Sequence, residues 1–387
     1  MESGKCEETE PKGTSVKQIF DGRRKPGSGA SDGRRPDLGQ NQTRGRKPDN
    51  KARPKERLGV PEVEVLLRSS GDSLDNLFQR ADRARREGCG QDVYLFGVIG
   101  LSNYGAGRCY CGALRLPATG SDKYRMDPEE AIEVAKLIPA DRMGTVLLES
   151  GEDPEFSIDK IRLIISGIKR DTSLTVAVSA GERSLEEYRK LEEDGADYIL
   201  LHQETTNWVL YGILNRARKL EERKAALQSV QDAGFPVWTG GLVGPAGQSL
   251  QGMAEDIVSY AKMKAGLVNV VPFVPSPGEG LGQAPGAGLG LLLKAVAVTR
   301  IVNPKALMPV CFASTAFHPN VWRLALGVGA NVLVADLTPR KYRKGEITSQ
   351  AFLQDGETLE SLVGRASREI DAAGRKLART PETKTDE

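Results

Sequence analysis

The chain has 387 residues, 39 % of them hydrophobic and 27 % charged, with no apolar run of about eighteen residues, which excludes a membrane-spanning helix. Five unevenly spaced cysteines are too few for a disulfide framework and point to a reducing compartment, with the cytoplasm expected. Only two histidines, His202 and His318, argue against a histidine-rich metal site or a Ser/His/Asp hydrolase.

The formal charge of +2 is unevenly spread. Residues 1–57 carry 15 Lys/Arg against 9 Asp/Glu, which leaves 39 basic against 43 acidic residues in the remainder. The globular part is therefore not expected to bind nucleic acid. The same first segment holds only eight hydrophobic residues and cannot bury enough apolar surface to offset the entropy of ordering it. Residues 1–58 are read as a disordered basic extension. It lacks the apolar core of a secretory signal, and Glu2, Glu7, Glu8 and Glu10 argue against organelle targeting.

From about residue 60, short apolar or β-branched runs alternate with amphipathic, charged stretches. The runs fall at 93–99, 145–148, 174–178, 198–201, 236–238 with 242–243, 267–271, 307–312 and 331–334. Helix-start signals separate them: Asp127-Pro128-Glu129-Glu130, Ser184 with Glu187, and Ser249 ahead of 251–263. Eight strands divided by helices imply an α/β protein with a parallel sheet, and eight is the number that closes a (β/α)₈ TIM-type barrel. The barrel is expected over 59–378. The glycine- and proline-rich stretch from Gly266 to Gly290, densest after Pro275, predicts a mobile loop over the barrel mouth. Apolar spacing at Leu359, Leu362, Val363, Ala366 and Ile370 predicts a helix over 359–377, and 379–387 reads as a polar tail.

In such a barrel, chemistry gathers where strands end and loops begin. Those loops carry Ser102-Asn103-Tyr104, Cys109-Tyr110-Cys111-Gly112, Tyr124-Arg125-Met126 before Pro128-Glu129-Glu130, Ser150-Gly151-Glu152-Asp153-Pro154, Gly181-Glu182, Glu204-Thr205, Val243-Gly244 and Gly247-Gln248. Together, in this order, they resemble the radical S-adenosylmethionine (SAM) enzymes over roughly 74–344. The pattern is most similar to the HydE type of [FeFe]-hydrogenase maturase, a relative of biotin synthase and methylornithine synthase.

The resemblance implies a radical SAM barrel with a [4Fe–4S] cluster held by three loop thiolates. SAM would bind the remaining iron and be cleaved reductively to methionine and a 5′-deoxyadenosyl radical. It places Cys109 and Cys111 as metal ligands. It places Glu149, Ser150, Gly151, Glu152, Glu182, His202 and Glu204 around SAM. The implied role is maturation of the [FeFe]-hydrogenase cluster with an organometallic or other small-molecule substrate. Companion maturases and a ferredoxin or flavodoxin electron donor would be its partners.

This sequence departs from the pattern at three places. Position 105, where the first cluster cysteine belongs, is glycine, and Cys109 and Cys111 are spaced Cys-x-Cys. His202 stands where the family has an arginine that pairs with SAM's carboxylate, and a histidine cannot make the bidentate fork. Ser276 replaces a histidine. Cys89 precedes the first strand and belongs at the opposite end of the barrel, whereas Cys311 lies on the seventh. Three readings of the loop are compatible with these residues: a cluster with an unusual third ligand, a cluster-free scaffold, or a local sequence error. Another reaction of the biotin synthase or methylornithine synthase kind is the alternative within the enzymes.

Overall fold

A computed structural model describes residues 58–104, 123–153, 155–216, 218–275, 286–310, 314, 318, 320–342 and 357–381. Two helices, α1 (Val60–Leu67) and α2 (Asp72–Cys89), precede the first strand. The barrel then runs β1 (Asp92–Ser102), α3 (Pro128–Lys136), β2 (Thr145–Ser150), α4 (Ile158–Asp171), β3 (Thr175–Ser179), α5 (Leu185–Glu193) and β4 (Tyr198–Leu200). After β4 come α6 (Trp208–Leu214), α7 (Leu220–Asp232), β5 (Val237–Val243), α8 (Leu250–Lys262) and β6 (Leu267–Pro272). It finishes with α9 (Leu289–Val302), β7 (Pro309–Val310), α10 (Val321–Gly327), β8 (Val332–Asp336), α11 (Leu359–Ala372) and β9 (Lys376–Ala378).

The eight expected strand positions each carry a strand. All pair in parallel, in the order β6-β5-β4-β3-β2-β1-β8-β7. The two ends of that order meet through a bridge between Leu267 and Leu307. Val268 N donates to Leu307 O at 2.8 Å, and Leu307 N donates to Gly266 O at 2.8 Å. The ring is thus nearly closed by a short seam just ahead of β7. β5, β6 and β8 are buried along their whole length, as strands must be when side chains fill one face and helices cover the other.

The helix starts obey the local chemistry read from the sequence. Asp127 accepts from Glu129 N, Ser249 accepts from Gly252 N, and Ser184 and Glu187 form a reciprocal capping box. Among the described residues no helix is long and apolar enough to cross a membrane.

One expectation is corrected. The helix predicted to 377 stops at Ala372, and Lys376–Ala378 instead pairs in parallel with Asp92–Tyr94 of β1. The physical reason is an exposed edge: β2 joins β1 only from Phe96 onward, so the start of β1 needs another partner. The chain stays attached beyond β9. Gly144 N donates to Arg379 O at 3.0 Å, and the Arg379 guanidinium donates to Ala140 O and Ser173 Oγ. β6 occupies Leu267–Pro272 as the run at 267–271 predicted, and the mobile loop expected after it falls largely on residues 276–285, with Ser276, which lie outside the described residues.

Aromatic rings fill the lower barrel. Trp238 of β5 stacks on Tyr198 of β4 at 3.9 Å between centroids and on Phe96 of β1 at 5.9 Å. Because β1 and β5 are not neighbours in the sheet, this stack crosses the interior. It forms an apolar floor beneath the polar loops.

Candidate active site at the barrel mouth

Among the described residues, the strand-end loops named from the sequence open on one end of the barrel. Residues 105–122, with Cys109 and Cys111, lie outside the described residues, as does Cys311. The two ends of that loop are clipped together. Asn103 N donates to Tyr124 O at 3.3 Å, Tyr124 N donates to Asn103 Oδ1 at 2.8 Å, and Met126 N donates to Leu101 O at 2.7 Å. Asp153 fastens the clip from the next loop. It accepts from Ser102 Oγ at 2.6 Å and from Arg125 Nε and Nη2 at 2.7 and 2.9 Å. Burial would raise its pKa, but the Arg125 and Ser102 hydrogen bonds outweigh burial and hold it at about 2. Arg125 also lies over the Tyr104 ring, 3.7 Å from its centroid.

Helix α4 begins only at Ile158 after Ser157, so neither Ser150 nor Asp153 caps it: Ser150 Oγ donates to Gly151 O, and Asp153 binds the base of the 105–122 loop. Glu149 ends β2 opposite Ser179 of β3, at the rim.

Glu152 and Glu182 come together across the β2 and β3 loops, and two arginines hold them. Arg218 Nε donates to Glu152 Oε2 at 2.8 Å, and its Nη1 donates to Glu182 Oε2. Arg223, on α7, reaches Glu152 Oε1 at 3.4 Å and lies 2.8 Å from Glu182 Oε1. That last contact is close but off the hydrogen-bond line, so the buried Glu182 Oε1 keeps no aligned donor. Glu152 can lie here because residue 181 is glycine. Its φ is +77°, and a Cβ there would stand 2.4 Å from Glu152 Cγ.

Deeper in the mouth lie His202, Glu204 and Asn269. Glu204 is 7 % exposed and has a left-handed φ of 67°. Its backbone sits in the ladder beside β5, with Glu204 N donating to Gly240 O and Leu242 N donating to Glu204 O. Gly240 and Gly241 permit this approach: a Cβ at Gly240 would meet the Asn269 backbone, and one at Gly241 would meet Glu204 O. The space these two glycines leave is thus occupied by the protein's own backbone.

Burial pushes the Glu204 carboxyl up to about 7, with Arg223 opposing and Glu152 reinforcing the shift. His202 is not a solvent-facing loop histidine. Its Nε2 lies 3.1 Å from Asn269 Nδ2, its Nδ1 lies 4.0 Å from Glu204 Oε1, and its carbonyl accepts from Arg223 Nη1. With the Asn269 amide donating, the imidazole carries its proton on Nδ1, facing Glu204. Among the described residues, Asn269 Oδ1 is buried without a partner.

The loops after β4 and β5 hang from one buried carboxylate, Asp256 of α8. It accepts from Thr206 N at 2.6 Å, Thr206 Oγ1 at 2.7 Å, Thr205 Oγ1 at 3.2 Å and Gln248 Nε2 at 3.3 Å. Burial nevertheless pushes its pKa up to about 6. Cys89 lies at the opposite end, as expected, 3.3 Å from Pro304 O. Among the described residues no group of three His, Cys, Asp or Glu side chains could hold a metal ion.

The structure therefore brings Glu152, Glu182, His202 and Glu204 to one mouth. Sequence reading missed Arg218, Arg223, Asn269, Asp256 and Arg125. Two arginines in a Glu- and Lys-rich stretch look like solvated surface. Only the inward position of Asn269 on an otherwise apolar strand offered a signal.

Comparisons with known proteins agree with the barrel fold. The family model of the radical SAM superfamily matches residues 106–257. The chain is 35 % identical over 269 residues to the [FeFe] hydrogenase maturase subunit HydE of Thermotoga maritima, covering 69 % of this chain and 77 % of that protein. It is 26 % identical to 3-methylornithine synthase of Methanosarcina barkeri, covering 81 % and 89 % respectively. In fold it matches the crystal structure of methylornithine synthase (PylB) with a TM-score of 0.72 at 23 % identity, covering 84 % of this chain and 95 % of that one.

Proposed function

The chain belongs to the radical SAM superfamily of enzymes, and from that premise we propose a HydE-like activity: reductive cleavage of SAM at a [4Fe–4S] cluster in the maturation of [FeFe]-hydrogenase. The observation that carries this reading is the mouth itself, where Glu152 and Glu182 grip a guanidinium beside the clipped base of the Cys109–Cys111 loop. The residues present fit the amino-acid end of SAM. A cation already stands between the two carboxylates, and among the described residues Glu182 Oε1 lacks an aligned donor and Asn269 Oδ1 lacks any.

When bound, the cluster would supply an electron and SAM its 5′-deoxyadenosyl group. The protein's own residues bind and orient. Glu152 and Glu182, with Glu149, Ser150 and Gly151 along the same rim, would receive the ammonium and hydroxyl donors of SAM. Cys109 and Cys111 would be the thiolates that hold the cluster with a third ligand. His202 and Glu204 would meet the ligand from below, with Asp256 fixing their loop through Thr205 and Thr206. The aromatic floor of Phe96, Trp238 and Tyr198 would keep water from the underside. Companion maturases and a ferredoxin or flavodoxin electron donor would be the partners.

Anaerobic reconstitution with iron and sulfide tests the proposal. About four irons per chain and 5′-deoxyadenosine release on reduction are expected. Iron-free protein that ignores SAM, from a verified clone, would overturn it. Glycine at position 105 favours one second reading, a cluster-free barrel that only binds ligands or partners, and the same experiment separates the two.

A further inference from the structure

At the end of the barrel where the strands begin, α2 closes in tightly. A Cβ at Gly88 would stand 2.0 Å from Pro304 O, so a glycine there lets the next residue, Cys89, reach the barrel. The Cys89 thiol is free and partly exposed, 3.3 Å from Pro304 O and 3.2 Å from Arg300 Nη1. Two further guanidiniums are buried in the same cluster. Arg85 donates to Gly90 O and to Asp82 Oδ1. Arg375 donates to Ala330 O at 3.1 Å and lies 3.7 Å from Asp82 Oδ1.

Charge does not balance in this cluster. Arg85, Arg300 and Arg375 are 2 %, 0 % and 5 % exposed, and the carboxylate that pairs among them is Asp82, which Arg86 also shares from the surface. Burial pulls the Arg375 pKa down to about 10, and Arg85 and Arg300 push it the same way. Two buried donors of the cluster lack an acceptor among the described residues. They are Arg375 Nε and Asn331 Nδ2, the latter on the amide whose Oδ1 accepts from Arg300 Nη2. Excess positive charge and orphaned donors both call for an anion.

We propose that Cys89 is a thiol-modification site that selects anionic reagents, with small disulfides bearing carboxylates as its substrate class. It is independent of whatever binds at the mouth. In the exchange, the Cys89 sulfur attacks one sulfur of the disulfide as its thiolate. A bond forms from Cys89 to that half and the original disulfide bond breaks. The other half leaves as a thiolate and takes up the proton that Cys89 gave up. Cys89 is oxidised to a mixed disulfide and the departing half is reduced, so the disulfide is the only oxidant required. The attached carboxylates bring the negative charge that the three guanidiniums lack. Two features oppose an anion here, and both are weaker. Cys89 ends α2, where the helix dipole amounts to about half a negative charge. Glu87 is exposed, where water and salt screen it.

The test alkylates the full-length protein, folded and in urea, with anionic iodoacetate and with neutral iodoacetamide. The rate at Cys89 is read by mass spectrometry of its peptide. Both reagents attack the same thiolate, so their rate ratio cancels the thiolate fraction and leaves the local charge. The iodoacetate-to-iodoacetamide ratio is expected to be about tenfold or more higher in the folded chain than in the unfolded one. Arg375→Gln with a native circular dichroism spectrum should lose much of that rise. Glutathione disulfide, which is net negative, should add to folded Cys89 about tenfold faster than cationic cystamine, a preference that disappears in urea.

Equal alkylation ratios in the folded and unfolded chains overturn the inference, and so does a folded Cys89 that neither reagent labels. A natively folded Arg375→Gln that keeps the full ratio would overturn it as well, by removing the guanidinium cluster as the source of selection. The wild-type comparison stands by itself if that variant does not fold.

Discussion

Two buried arginines stand at opposite ends of the barrel, and their partners differ in kind. Arg300, at the end of α9 where the strands begin, is wholly buried. It donates to the carbonyls of Gly329 and Ala306 at 2.7 Å, to Pro304 O at 3.0 Å and to Asn331 Oδ1 at 2.9 Å. None of these oxygens belongs to a carboxylate, and burial pulls its pKa down to about 10. Burial opposes Arg223 in the same way, yet Tyr211, Glu182, Glu204 and Glu152 outweigh it and raise its pKa. The lower arginine ties backbone that has nowhere else to go. The upper one completes a network of paired charges that opens on the barrel mouth. Fixed neutral acceptors make a joint, and paired charges at an opening make a candidate binding site.

The largest expected effect breaks the joint. Arg300→Met leaves several buried carbonyls without donors and should cost about 3–5 kcal/mol of unfolding free energy by denaturant titration. SAM affinity of the protein that remains folded should be unchanged. A loss below about 1 kcal/mol would erase the distinction between the two ends.

Next comes Glu204, whose cost depends on pH. Its folded-state pKa of about 7 lies above the ordinary carboxylate value, so ionisation disfavours the folded state. The stability this group allows is complete below about pH 4.3 and is lost as pH rises through 7. Glu204→Gln removes that penalty. Relative to wild type, the variant should gain about 3 kcal/mol between pH 4.5 and pH 8. A gap between the two proteins that stays constant with pH would refute the burial argument.

Removing one charge of the mouth network should act on ligand before fold. Glu182→Ala is expected to weaken SAM binding by at least about tenfold, or roughly 1.4 kcal/mol. Unchanged affinity would detach Glu182 from the site. An effect of similar size comes from a pair of glycines. Gly181→Ala and Gly374→Ala both place a Cβ at positive φ, +77° and +67°, and each should cost about 1–2 kcal/mol of stability. Only the Gly181 methyl would strike Glu152, whereas nothing lies within 4 Å of the Gly374 position. SAM affinity should therefore drop in the first variant alone.

Much of the barrel was legible from local pattern. The strands follow β-branched and apolar runs, and Asp127, Ser184 and Ser249 cap helices as their spacing suggests. The site was legible only as a set of strand-end loops. Glu152, Glu182, His202 and Glu204 could be placed there, but not their partners. The role of Asp153 was not legible, because Ser and Asp ahead of an apolar run look the same whether they cap a helix or pin a neighbouring loop. Lys376–Ala378 was misread as helix because three residues carry no period of their own.

The sequence alone determined the alternation of strand and helix, the loops that open at one end, and the position of Cys109 and Cys111 within the first of them. Those features follow from side-chain periodicity and capping, which act over a few residues. Tertiary structure alone decided that Arg218 and Arg223 meet Glu152 and Glu182, that Asn269 faces His202, and that β9 completes the edge of β1. Such pairings depend on distances that exist only once the ring has closed and brought the ends of separate strands within a few ångströms.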